Sequence, residues 1–169
     1  LLCSVWNGVY DYDYNPNRQE ILIPDFVESV KNGTWKEVVE KIRSVPEKEA
    51  RSKLKEKLSA VTISGTFKLR RNAELINHSG FICLDFDNVD NISQTKEIVS
   101  RDTYTSGAFI TASGKGLAVL VRIEPLRHTE AFLALEKYFY DHYNIVADAG
   151  CKDVARLRFA SYDPSANFC

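Results

Sequence analysis

The sequence predicts an α+β fold in which helices pack on a mixed or antiparallel sheet. Short segments rich in Val, Ile, Leu and Phe occur at residues 61–64, 79–87, 107–113, 117–123 and 155–161, and such segments are typical of strands. Residues 129–143 instead carry apolar side chains at helical spacing, and residues 91–101 are predicted to form a short helix whose start Asn91 or Ser93 can cap. From residue 79 onward the predicted order is therefore β-α-β-turn-β-α-β.

The first 60 residues are predicted to be mainly helical. Residues 35–42 place Trp and aliphatic side chains at i, i+3, i+4 and i+7, and residues 46–58 carry Ala50, Leu54 and Leu58 along one side. The mixed charges between these apolar positions, Lys55 among them, are interpreted as a solvated face. We expect residues 1–60 to pack on a module formed by residues 61–169. The chain begins at Leu1 and contains no Met, so we expect one compact domain excised from a longer protein.

The connection between two of the predicted strands restricts the topology. Only the residues SGKG separate the apolar segment that ends near residue 113 from the one that begins at residue 117. A helical crossover needs far more residues, so these strands must form an antiparallel hairpin. The arrangement resembles the βαββαβ order of an RNA-recognition motif and argues against a doubly wound sheet.

Composition restricts the class of protein. A chain of 169 residues with 44% hydrophobic residues fits one globular domain. The net charge of −1 argues against a surface coated in positive charge, but it leaves room for a local basic groove. No apolar run approaches the ~18 residues of a membrane span. The four cysteines form no CxxC pair, so we expect neither a zinc site nor a disulfide framework. We expect a cytoplasmic location.

Two acidic residues stand at the end of the apolar segment FICLDFD. Side chains alternate along a strand, so Asp85 and Asp87 should share one face with Cα atoms ~7 Å apart. Two carboxylates at this separation can share a hard cation such as Mg²⁺ or Mn²⁺. The alternative is an Asp-rich turn, which suits Asp90 and Asn91 better than Asp85 because Phe86 continues the apolar pattern.

The hairpin turn is a candidate phosphate site. Ser113, Gly114, Lys115 and Gly116 would bring exposed amides and one positive charge close to a ligand. The alternative is that a tight turn needs glycine in any case. The turn is not a P-loop, because the spacing of that motif is absent and no helix follows.

A third group of charged residues comes near the end of the chain. Asp148 follows the predicted helix, and Arg156 and Arg158 occupy alternate positions of the last predicted strand. An acid for the metal and two guanidinium groups for phosphate oxygens would complete a site. The alternative is an exposed strand whose arginines form salt bridges.

These motifs, taken in order over roughly residues 61–164, resemble the archaeo-eukaryotic primase (prim-pol) superfamily, whose catalytic core is RRM-like. SGKGL at residues 113–117 and SYDP at residues 161–164 resemble in particular the N-terminal domain of bacterial virulence-associated protein E. The resemblance implies that Asp85, Asp87 and Asp148 bind metal. It also implies that Lys115 and the two late arginines, Arg156 and Arg158, lie near nucleotide phosphates. One position departs from the pattern, since Ala118 stands where the superfamily typically has a histidine.

The function implied is a primase or polymerase type of nucleotidyl transfer in the DNA replication of a mobile element. The expected partners are a nucleoside triphosphate, single-stranded or primed DNA, and a helicase-like region of the same polypeptide. Arg70 and Arg71 are candidates for contact with the nucleic-acid backbone, unless they simply lie in an exposed loop.

Two other functions remain open at this point. A catalytically degenerate nucleotide- or DNA-binding module would be consistent with Ala118. A DxD-type phosphatase would use Asp85, Asp87, Thr111 or Ser113, and Lys115, but its parallel sheet is contradicted by the short hairpin.

Overall fold

The computed structural model describes all 169 residues and contains ten strands and five α-helices. The strands are β1 (Leu2–Trp6), β2 (Glu20–Leu22), β3 (Ala60–Thr62), β4 (Gly65–Phe67), β5 (Leu75–His78), β6 (Phe81–Phe86), β7 (Thr105–Ile110), β8 (Leu117–Arg122), β9 (Arg158–Phe159) and β10 (Asn167–Phe168). The helices are α1 (Ile23–Asn32), α2 (Lys36–Ser44), α3 (Lys48–Glu56), α4 (Ile92–Val99) and α5 (His128–Tyr143). None of these helices is both long and apolar enough to cross a membrane. The predicted α+β class is confirmed.

The N-terminal part contains more than the two helices that the sequence predicted. Helices α2 and α3 lie where the apolar spacing placed them, whereas β1, β2 and α1 were not predicted. Strand β1 pairs with both β2 and β3 in antiparallel fashion. Residues on either side of position 60 therefore belong to one sheet, with the strand order β2-β1-β3-β9.

The second sheet has the strand order β10-β7-β8-β6, and all its pairings are antiparallel. The predicted hairpin is confirmed, with Ile110 paired to Leu117 at its closed end. Asp85 of β6 pairs with Ala118 of β8. The sheet is not the parallel one that a DxD-type phosphatase uses, in agreement with the argument from the short hairpin.

The last predicted strand occupies a different place from the one expected. Residues 155–161 were predicted to complete the same sheet as residues 79–87, but β9 pairs with β3 in the first sheet. The edge of β6 holds only an isolated bridge between Phe86 and Ala147, and β10 extends the second sheet beside β7. This part of the topology prediction is wrong. The physical reason is that the chain crosses over after Ala147 and buries Ala160 in the core between the sheets.

The second sheet is covered on both faces. Helix α5 packs with Phe132 and Phe139 on one face, against Ile82 and Leu84. The opposite face carries Phe81 and Cys83, which share a cluster with residues of β1 and α1 such as Cys3 and Phe26. Because side chains alternate along β6, Asp85 continues this second face and is directed toward the N-terminal part of the chain.

Candidate functional site

Asp85 is held by Arg158 at the end of β6. Arg158 Nη2 lies 2.7 Å from Asp85 Oδ2, and the two side chains retain only 6% and 15% of their exposure. Burial alone would lower the pKa of the Arg158 guanidinium, but the charge of Asp85 outweighs burial and raises this pKa. Arg158 thus forms a salt bridge, but it is a buried one rather than the exposed one of the predicted alternative.

The ion pair leaves two polar atoms without a partner. Asp85 Oδ1 and Arg158 Nε are both buried and make no hydrogen bond. Buried polar atoms are nearly always hydrogen-bonded, so such atoms call for an explanation. A carboxylate oxygen with a free lone pair at this position is available to a cation or to a hydrogen-bond donor of a ligand.

Asp87 lies two residues beyond Asp85 and is exposed. Its pKa is raised, first by partial burial of its carboxyl group and then by the charges of Asp85 and Asp148. The charges of Arg158 and Lys55 act in the opposite direction and offset part of this effect. The three acids that the sequence singled out therefore lie close enough to repel one another.

Asp148 precedes a short 3₁₀ helix, Ala149–Lys152, and caps it. Its Oδ1 accepts a hydrogen bond of 2.8 Å from the Gly150 amide, and its Oδ2 accepts one from Arg156. The Asp148 amide donates to the Asp85 carbonyl at 2.7 Å, which fixes this residue beside the end of β6. Asp148 and Asp85 are thus neighbours, and each of their carboxylates is paired with an arginine.

No group of three or more His, Cys, Asp or Glu side chains is already arranged to hold a metal ion. In the arrangement described, Asp85 and Asp148 each direct one oxygen at a guanidinium group. The predicted ligation of Mg²⁺ or Mn²⁺ by Asp85, Asp87 and Asp148 remains a prediction.

Four arginines that the sequence placed in two separate groups line one cleft. This arginine cleft has a volume of about 560 Å³ and is bordered by Arg70, Arg71, Arg156 and Arg158, together with Asp85 and Asp153. The lining has four cationic and two anionic side chains, an excess of two positive charges in a chain whose net charge is −1. The structure therefore contains a local basic groove, which the net charge of −1 did not exclude.

Arg70 and Arg71 differ in how they are held. Arg70 is partly buried and donates hydrogen bonds to the carbonyls of Val9, at 2.6 Å, and Asp11, at 3.5 Å. Arg71 is exposed and donates no side-chain hydrogen bond. Arg70 thus has a structural role, whereas Arg71 is free to contact a ligand.

The SGKG turn lies at the same end of β6 but outside the arginine cleft. Lys115 and Gly114 border a separate open cleft of about 720 Å³ with residues 88–94, and the Val89 amide donates to the Lys115 carbonyl at 3.0 Å. Ser113 Oγ accepts from the Lys115 amide at 3.3 Å. Lys115 and the arginines were expected to lie side by side if they bound the same triphosphate. They line different clefts.

The glycines of the turn have structural explanations. Gly114 adopts φ +74°, where side chains are strained. A Cβ at Gly116 would lie 2.9 Å from the Phe86 carbonyl oxygen. The alternative that a tight turn needs glycine in any case therefore accounts for both positions, and phosphate binding by Ser113–Gly116 remains a prediction.

Two basic residues near the site were missed by sequence analysis. Lys55 of α3 is partly buried, and burial lowers the pKa of its ammonium group against the opposing charges of Asp87 and Asp85. It makes no ion pair and donates no hydrogen bond, and its interpretation as part of a solvated face stays a prediction. Arg43 of α2 donates to the carbonyls of Thr111, at 3.0 Å, and Tyr162, at 2.9 Å, and supports the hairpin turn.

No local signal could have identified these residues. Lys55 lies among other charged residues of α3, and only its partial burial near Asp85 and Asp87 distinguishes it from Lys53 and Lys57. Arg43 lies in the last turn of α2, where basic residues are common because they interact favourably with the helix dipole.

Comparison with known proteins gives one family match. A family model described as "BT4734-like, N-terminal domain" matches residues 53–168, which is more than half of the chain and includes every candidate site residue from Lys55 to Arg158. No curated protein and no solved structure matches the chain.

Proposed function

We propose that this chain, which belongs to the BT4734-like, N-terminal domain family, is a primase-like nucleotidyltransferase domain of a protein that replicates the DNA of a mobile element. The observation that carries the proposal is the meeting of Asp85, Asp87 and Asp148 at one end of β6 beside the arginine cleft. Its ligands would be a nucleoside triphosphate, Mg²⁺ or Mn²⁺, and single-stranded or primed DNA. A helicase-like region of the same polypeptide would be its partner.

Asp85, Asp87 and Asp148, which are not grouped as a metal site in this arrangement, would hold a hard divalent cation after their side chains reorient. Burial raises the pKa of the Asp87 carboxyl group, the charges of Asp85 and Asp148 raise it further, and Asp85 Oδ1 has no hydrogen-bond partner. A cation that prefers oxygen ligands would relieve both the repulsion and the missing contact. When bound, it would neutralise phosphate charge and favour ionisation of an attacking 3′-hydroxyl group.

The arginines would supply the phosphate contacts. Each guanidinium group has five N–H donors, so Arg158 can keep its contact with Asp85 and still present other donors toward the cleft. The pair between Arg156 and Asp148 is more exposed, with 44% and 31% of the side chains accessible. Arg156 can therefore exchange Asp148 for a phosphate oxygen at little cost, since exposed ion pairs contribute only about 0–1 kcal/mol.

The test is primer extension with a single-stranded template, NTPs or dNTPs, and Mg²⁺ or Mn²⁺. The informative variant is Asp87→Asn, because Asp87 is exposed and holds no other residue in place. Asp90→Asn is the matched control, since Asp90 is exposed in the same loop. We expect metal-dependent product from the wild type and the control but not from Asp87→Asn. Equal product from both variants would refute the assignment.

A second candidate function has one specific observation in its favour. Ala118 lies directly across from Asp85 on β8 and is fully buried, so no side chain at this position can contact a nucleotide. A domain that binds nucleotide or DNA without chemistry fits this absence. DNA binding without any product, in the same assay, would support the binding module over the enzyme.

A further inference from the structure

Three tyrosines in one short segment are unusually exposed. Tyr10, Tyr12 and Tyr14 lie between β1 and β2, with 69%, 49% and 60% of their surface accessible. Aromatic rings are large apolar groups, and several of them exposed within five residues are typical of a binding surface rather than of an inert loop. We refer to Tyr10, Tyr12 and Tyr14 as the tyrosine cluster.

The backbone that carries the tyrosine cluster is fixed by two arginines. Arg18 donates to both carboxylate oxygens of Asp11 at 3.0 Å and to the Val5 carbonyl at 3.1 Å. Arg70 donates to the Val9 carbonyl, and its own amide donates to the Tyr12 carbonyl at 3.4 Å. Because the segment is already ordered, a ligand would not bear the entropic cost of ordering it.

The segment that carries the tyrosine cluster adjoins the arginine cleft, although none of the three tyrosines lines it. Val9 and Arg70 belong both to the lining of the cleft and to the contacts that hold the segment. The Lys68 ammonium group lies 5.7 Å from the centre of the Tyr14 ring, and the Arg70 guanidinium lies 5.9 Å from that of Tyr12. Exposed rings thus adjoin a groove with an excess of positive charge.

The acids of the segment do not cancel this charge. Asp11 is neutralised by Arg18, whose charge and hydrogen bonds lower the pKa of the Asp11 carboxyl group. Asp13 is exposed and unpaired, and its charge is screened by solvent. A ligand that combines phosphates with flat aromatic groups therefore matches the surface better than an acidic peptide does, because a peptide would leave the rings without stacking partners.

We infer that the tyrosine cluster is a stacking surface for the bases of a single-stranded nucleic acid whose phosphates lie along the arginine cleft. Proteins that bind single strands without sequence preference combine these two features, a cationic groove and aromatic rings. The inference rests on the proposed function only for the class of partner. It assigns a role to a segment that precedes the residues matched by the family model.

The experiment measures fluorescence anisotropy of a labelled oligothymidine and of an abasic oligonucleotide of equal length. The triple variant Tyr10→Ala/Tyr12→Ala/Tyr14→Ala removes the rings, and the corresponding triple Phe variant keeps them. Tyr140→Ala is the control, because Tyr140 is 54% exposed on α5, on the other side of the second sheet. Thermal unfolding verifies that each variant is folded, and the three single Ala variants replace the triple variant if it is not.

We expect the triple Ala variant to bind oligothymidine about 5- to 100-fold more weakly for each base that stacks. The triple Phe variant and Tyr140→Ala should bind as the wild type does. Binding of the abasic oligonucleotide should not change in any tyrosine variant, whereas Arg71→Ala should weaken binding of both oligonucleotides.

Oligothymidine binding that the triple Ala variant retains in full would overturn the inference and leave the proposed function standing. If the wild type binds neither oligonucleotide, both the inference and the DNA-binding part of the proposed function are refuted, and a protein partner becomes the candidate occupant.

Discussion

Asp85 and Arg158 form a buried ion pair of 2.7 Å although they belong to strands of different sheets. Asp85 lies on β6 of the second sheet, and Arg158 lies on β9 of the first. The pair therefore connects the two sheets at the point where the candidate site opens. The first acid of the DxD motif thus has a structural role in addition to the proposed binding role.

Asp85→Asn is expected to destabilise the fold. The substitution leaves the Arg158 guanidinium buried without a counter-charge, and breaking a buried pair in this way costs about 3–5 kcal/mol. Urea unfolding at pH 7 measures the loss. The double variant Asp85→Asn/Arg158→Met should recover most of it, because the uncompensated charge is removed. A free energy of unfolding within about 1 kcal/mol of the wild type for Asp85→Asn would contradict the structural role of the pair.

Asp87→Asn is expected to change the free energy of unfolding in the opposite direction and to stabilise the fold. The pKa of Asp87 is raised in the folded protein by burial and by Asp85 and Asp148, so the folded state disfavours the ionised carboxylate. The penalty is absent below the unfolded pKa and develops as the pH rises through the raised value. The variant should therefore be slightly more stable than the wild type at pH 7, by less than about 1 kcal/mol because the group is exposed. The difference in free energy of unfolding between the variant and the wild type should vanish on acidification. Urea titrations at several pH values measure it, and a variant less stable than the wild type at pH 7 would contradict the prediction.

The pKa of Lys55 should lie below the ordinary value of a lysine. Burial lowers the pKa of its ammonium group, and the charges of Asp87 and Asp85 raise it in part. Removing one of these carboxylates in Asp87→Asn should lower the pKa of Lys55 further. NMR titration of ¹³C-methylated lysines measures both effects, with exposed Lys53 as the internal control. Coincident titration of Lys53 and Lys55 would show that Lys55 is fully solvated.

Acid should destabilise the protein through a pair of histidines. The Gly80 amide donates to His78 Nδ1 at 2.9 Å, so the neutral ring carries its proton on Nε2 and donates to His128 Nδ1 at 3.1 Å. Burial and the neighbouring His128 lower the pKa of His78 from 6.5 to about 4. Between these values the unfolded chain binds a proton that the folded protein does not.

The contribution of His78 should therefore reduce stability as the pH decreases from about 6.5 to about 4, and this contribution should level off below that range. The free energy of unfolding measured across this range in His78→Gln should depend less steeply on pH than that of the wild type. Parallel curves for the two proteins would show that His78 does not titrate as described.

Gly116→Ala should destabilise the hairpin. The added Cβ would lie 2.8 Å from Thr111 Oγ1 and 2.9 Å from the Phe86 carbonyl oxygen, and the latter is backbone that cannot rotate away. Overpacking of this kind costs about 1–3 kcal/mol. Lys115→Ala on the same turn is the control, because Lys115 is exposed and its removal should change stability by less than about 0.5 kcal/mol. Thermal unfolding in which Gly116→Ala matches this control would refute the close approach.

Much of the second sheet could be predicted from short stretches of sequence. The four residues at 113–116 are too few for a crossover, so the hairpin of β7 and β8 followed from chain length alone. The alternation of FICLDFD likewise predicted that Asp85 and Asp87 share a face. Helix α5 was predicted from the spacing of its apolar residues, and helix α4 from a capping residue at its start. Each of these features is encoded within a few neighbouring residues, where periodicity and turn length are sufficient.

The candidate site itself depended on contacts between distant parts of the chain. Arg158 was correctly placed on a strand, but β9 has only two residues, and nothing local specifies that its partner is β3 rather than β6. This pairing brings Arg158 onto Asp85. The partial burial of Lys55 likewise depends on where α3 packs rather than on its composition.

By itself, the sequence determined the α+β class, the hairpin and the face on which the two aspartates lie, because periodicity and connection length act locally. The tertiary structure alone decided that Asp85 is paired with Arg158, that four arginines from two segments line one cleft, and that the segment carrying the tyrosine cluster adjoins it. These relationships join residues about 50 to 150 positions apart. The free energy that selects such contacts comes from burial and charge pairing in the whole fold, which no short segment records.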